Sequence, residues 1–77
     1  MNEAMLLTPE EAMALPEGTE VWFEERCTNA SYISPMTVTG GWLHADWLDV
    51  NLREVLMLNR RIWSAKPTCE QRRTAPW

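Results

Sequence analysis

Glu20-Val21-Trp22-Phe23-Glu24-Glu25-Arg26 is the stretch on which the fold turns. Alternate residues of an extended chain point to opposite sides of a sheet, so Val21 and Phe23 share one face and Trp22 takes the other. β-Branched and aromatic side chains also pack well on a pleated surface. The segment therefore predicts a strand.

Four further strand-like segments follow. Asn29 to Ser31 is turn-like, and then Tyr32-Ile33-Ser34 and Met36-Thr37-Val38-Thr39 read as a strand region interrupted by Pro35. Proline donates no ladder hydrogen bond, so an edge or a bulge is expected there. Gly40-Gly41 marks a tight turn or a close backbone approach. Trp42-Leu43-His44-Ala45-Asp46-Trp47 is the next strand, with Leu43, Ala45 and Trp47 on one face and Trp42, His44 and Asp46 on the other. Residues 48–58 fit two patterns. Leu48, Leu52, Val55 and Leu56 fall at helical spacing, whereas Val50, Leu52, Leu56 and Leu58 alternate as a strand would. The strand is favoured because Arg61-Ile62-Trp63-Ser64 looks like its hairpin partner across an Asn59-Arg60 turn.

Short helices are expected on either side of these strands. Thr8 suits the N-cap, Pro9 the first helical position, and Glu11 completes a capping box. Pro16 and Gly18 stop this helix, so it is expected over residues 9–15. Thr68 and Gln71 repeat the pattern, and that helix ends before Pro76-Trp77. About five strands bracketed by two short helices result.

With 77 residues, the chain makes one domain over residues 1–77. A chain of this size buries only about 60% of its unfolded surface. Two cysteines and one histidine are too few for a tetrahedral zinc site, and no metal or cofactor is expected. The opening Met1-Asn2-Glu3-Ala4-Met5 carries acid where a signal peptide carries base, and no apolar run reaches the roughly 20 residues of a membrane span. A cytoplasmic setting is expected, with Cys27 and Cys69 as free thiols.

Net charge is −4, and it is unevenly spread. Residues 1–25 hold seven acids and no base, while residues 53–73 hold six bases against Glu54 and Glu70. Either a local anion site sits on an acidic body, or the two ends lie together and neutralise each other; the second is favoured. An acidic whole argues against duplex nucleic acid.

Catalysis would need Cys27 or Cys69 near His44 with an orienting carboxylate such as Asp46. No local motif places these groups, so no enzyme is expected. Five tryptophans are the loudest compositional signal. Most serve to fill a scant core, leaving Trp42 and one other for an interface or a stacked base. Arg60-Arg61 beside Trp63 has the chemistry of a phosphate fork next to a stacking wall. The bland alternative pairs those arginines with the N-terminal glutamates.

Leu7-Thr8-Pro9-Glu10-Glu11, Leu15-Pro16-Glu17-Gly18-Thr19 and Val21-Trp22 resemble the opening of a family of small phage and prophage proteins of gut-type bacteria. Trp63, Lys66-Pro67-Thr68, Glu70-Gln71-Arg72 and Pro76-Trp77 resemble that family's end. The likeness covers about the first 25 and last 17 residues; residues 26–60 match nothing in it. It implies a compact β-rich, SH3-like fold and a mobile-element origin. Combined with the element reading, a mainly β (α+β) chain is expected, either a small SH3-like barrel or a half-open sheet bracketed by two short helices.

Where such proteins have a role, it is often to disarm bacterial immunity. The function expected is anti-defence binding that sequesters a small anionic nucleotide signal, with Arg60, Arg61 and Trp63 as principal contacts and Tyr32, Trp42 and His44 as secondary ones. A homo-oligomer is expected, since a small monomer offers little concave volume. The rivals are a protein–protein inhibitor whose acidic N-terminal third docks on a host immune effector, and a structural or regulatory phage module.

Overall fold

A computed structural model describes residues 3–28 and 30–77. The chain is mainly β: β1 (Leu6–Leu7), α1 (Pro9–Met13), β2 (Glu20–Arg26), β3 (Ser31–Thr39), β4 (Trp42–Ala45), β5 (Leu48–Asn51), β6 (Arg60–Trp63) and α2 (Cys69–Thr74). The six strands form one antiparallel sheet in the order β1-β6-β2-β3-β4-β5. Edge strands β1 and β5 do not pair with each other, so the sheet is open. Of the turn expected over residues 29–31, Asn29 lies outside the described residues and Ser31 already belongs to β3.

Both helices form where their caps predict. The Thr8 hydroxyl accepts from the Glu11 backbone N–H and the Glu11 carboxylate accepts from that of Thr8; Thr68 and Gln71 repeat the exchange. Helix α1 stops at Met13, two residues before the expected end, where Ala14 caps it. It is also not the first element. The short β1, absent from the sequence reading, precedes it and pairs Leu6 and Leu7 with Trp63 and Ile62.

Two expectations are corrected by strand partnership. β3 runs unbroken through Pro35 and is central, between β2 and β4. The Val38 N–H donates to Thr19 on the β2 side, so by alternation the position-35 nitrogen faces the other way. There β4 pairs only Thr37 to Thr39, and the missing proline N–H breaks no ladder bond. Residues 48–58 are neither helix nor one long strand: β5 ends at Asn51, and residues 52–59 are turn and irregular chain. β6 therefore has no hairpin partner in residues 55–58; it pairs with β2 and β1.

Alternation sorts the sheet into two unlike faces. Val21, Phe23, Met36, Val38, Leu43 and Ile62 form the core on one face, closed over by Ala12 of α1 and by Leu52. Full burial of side chains such as Leu43 and Ile62 contributes about 1.5–3 kcal/mol each. The opposite face carries Glu24, Arg61 and Trp63, and α2 with the C-terminal residues folds over it.

Candidate anion-binding cleft

Antiparallel pairing aligns an acidic doublet with a basic one: Glu24 faces Arg61 and Glu25 faces Arg60. Neighbouring residues of a strand point to opposite sides, so the two pairs are separated by the sheet. On the core side, the Arg60 guanidinium donates to Glu25 at 2.9 Å and to the Leu56 carbonyl at 2.8 Å. On the other side, Arg61 and Glu24 are 3% and 1% exposed.

Glu24 is the centre of that second side. One carboxylate oxygen accepts from Arg61 Nε at 2.9 Å and from the Trp63 indole N–H at 2.8 Å. Its second oxygen accepts from Arg72 Nε of α2 at 3.0 Å. Arg61 spends its remaining donors on the carbonyls of Ala75 (3.0 Å) and Arg72 (2.9 Å). No buried side-chain polar atom among the described residues lacks a partner. Arg61 and Trp63, expected as ligand contacts, are instead both buried: Arg61 holds the C-terminal segment through its carbonyls, and the Trp63 indole N–H is spent on Glu24. This is the neutralising arrangement that the charge asymmetry favoured.

The remaining sequence candidates do not converge. Tyr32 is exposed on the core face, opposite Glu25 in the ladder. Trp42 and His44 lie on β4, three strands from β6. His44 Nδ1 sits 2.5 Å from the Asp49 carboxylate, its hydrogen-bond partner across the β4–β5 pair. The Gly40-Gly41 turn is used internally, with the Gly40 N–H donating to Glu17 at 2.6 Å.

A cleft of about 490 Å³ opens beside the Glu24 junction, between the β2–β3 end and α2. Arg26, Arg61, Arg72 and Arg73 line it against the single carboxylate of Glu24, together with Ser31, Trp77 and both cysteines. Arg72 reaches the Ser31 hydroxyl at 2.7 Å, and Arg73 pairs with Glu70 at the exposed end of α2. Trp77 is clasped by cations: its ring centroid lies 3.7 Å from Arg61 Cζ and 4.9 Å from Arg26 Cζ. The thiols of Cys27 and Cys69 are free and exposed, and His44 is not among the lining residues.

Sequence reasoning passed over Arg26, Arg72, Arg73 and Trp77 as a set. Two signals mark them. One is Arg72-Arg73 in the last turn of a capped helix with an aromatic terminus just beyond. The other is the match of Glu24-Glu25 to Arg60-Arg61, which fixes the register that brings this helix to β2. No protein-family model matches the chain, and no curated protein or solved structure does either.

Proposed function

We propose that the chain is a non-catalytic binding protein that takes a small anionic, nucleotide-like ligand in the arginine-lined cleft. The carrying observation is charge: Arg26, Arg61, Arg72 and Arg73 line a concavity with Glu24 on a chain whose net charge is −4. Since Arg61 is buried and Arg72 is held by Glu24, Arg26 and Arg73 are the guanidiniums a ligand would reach. Guanidinium forks pair bidentately with phosphate, and a cleft of this volume lies in the range of small-molecule sites. Arg26 and Arg73 extend toward solvent, where phosphate would meet them without displacing the Glu24 junction. Together with the resemblance to phage proteins, this supports anti-defence by sequestering a nucleotide immune signal. The rival acidic docking surface is weakened, because Glu24 and Glu25 are bound to arginines and Glu11 to its helix cap. A homo-oligomer belongs to the same proposal, a second copy closing the open side of the cleft.

Thermal denaturation with a panel of cyclic and linear adenine nucleotides tests the proposal. At least one should raise the melting temperature, and the double variant Arg26→Ala/Arg73→Ala should abolish that rise while its ligand-free melting temperature stays near that of the parent. A rise that survives the double variant, or none across the panel, overturns it.

A further inference from the structure

On the core face of the sheet, Tyr32 and Trp47 leave 62% of their surfaces in water. Trp47 was expected on a strand, but β4 ends at Ala45 and Trp47 stands in the turn before β5. Its indole N–H donates to the Ser34 hydroxyl at 3.3 Å, which sets the ring's direction. Phe23, Tyr32 and Trp47 thus line one hollow of about 560 Å³, with Glu25 in its wall.

Two smaller hollows adjoin it. One shares Phe23 and Glu25 and adds Asp49 and Glu54; the other shares Ser34 and Trp47 and adds Glu20 and Asp46. Of the carboxylates lining the three hollows, Glu20 and Asp49 occupy strand positions that face away from Phe23. That leaves Glu25, Asp46 and Glu54 on the side of the rings, with Glu25 paired to the one arginine there, Arg60. Aromatic faces are electron-rich, so an anion in this hollow is repelled by ring and carboxylate together. A neutral apolar guest gains burial alone. A cation with an apolar body gains burial, attraction to the ring faces and the field of the carboxylates.

We propose that this hollow is a second binding site, independent of the arginine cleft, for a small alkylammonium cation. Tyr32 and Trp47 supply the exposed ring surface over buried Phe23, and Glu25, paired with Arg60, is the carboxylate in the hollow's wall. The two sites take ligands of opposite sign on opposite faces of one sheet.

The test uses choline and its neutral carbon isostere dimethylbutanol as probes, read by the indole N–H resonances of nitrogen-labelled full-length protein. Trp47→Phe identifies the Trp47 resonance. Choline should move that resonance and leave buried Trp63 in place, and the isostere should bind on the order of tenfold more weakly. Tyr32→Leu should weaken choline binding and leave any nucleotide response at the arginine cleft intact. No movement of the Trp47 resonance with choline, or equal affinity for the neutral isostere, overturns the proposal.

Discussion

Glu24 joins three elements through one buried carboxylate. It lies at the meeting of β2, β6 and α2 and binds Arg61, Trp63 and Arg72 at once. Removing one member of a buried charged group is costly because the partner stays buried and unpaired. Glu24→Ala is expected to cost about 3–5 kcal/mol, a large part of the stability of a small domain. Glu24→Gln keeps a carbonyl oxygen as acceptor and should cost visibly less. Urea unfolding of the two variants checks this, and an alanine variant within about 1 kcal/mol of the parent would remove Glu24 from its central place. The sequence carried half of this. The strand over residues 20–26 was legible, and so was a pairing of glutamates with Arg60 and Arg61. That Arg61 would be buried and Arg60 left at the surface was not, because strand alternation splits the doublet only once the register is known.

At the scale of elements, legibility followed locality. Capping boxes act within four residues, so α1 and α2 announce themselves at Thr8 and Thr68. Strands depend on distant partners, so Pro35 suggested an edge although β3 is central, and residues 55–58 suggested a strand although no partner lies beside them. The β3–β4 turn is again local. Gly40 and Gly41 have φ of 55° and 85°, the two positive values that a two-residue hairpin turn of type I′ requires. A Cβ at Gly41 would also fall 2.2 Å from Arg53 Nη1, though that flexible guanidinium can move aside. Backbone strain then dominates, and Gly41→Ala should cost about 1–2 kcal/mol, lowering the melting temperature by about 4–8 °C per kcal/mol. Gly40→Asn should be nearly neutral, since its Cβ meets open space and asparagine is favoured at the first position of such turns. Calorimetry on both variants separates the positions, and an equal loss in the two would show that the turn is not what sets the cost.

The whole molecule is a sheet whose two sides solve different problems. The core side is closed by α1 and Leu52, while the opposite side holds a charged junction covered by α2 and the last residues. That division explains the charge split along the chain. The acidic first third includes β2, the basic last third includes β6 and α2, and antiparallel pairing lays one against the other. The C-terminal tripeptide Ala75-Pro76-Trp77 is then part of the fold, since Ala75 offers its carbonyl to Arg61 and Trp77 covers that guanidinium. Ending the chain after Thr74 should leave Arg61 with an unmet donor and an uncovered face. The expected cost is about 1.5–3 kcal/mol, the range for losing a hydrogen bond to a charged group. Trp77→Phe keeps the backbone carbonyls and an aromatic face, and it should recover most of that loss. The same truncation should also weaken the nucleotide response, because Arg26 loses the indole against which it is stacked. Urea midpoints of the truncated, Trp77→Phe and parent chains decide the matter: an unchanged midpoint after truncation would mean that the tail rests on the junction without holding it.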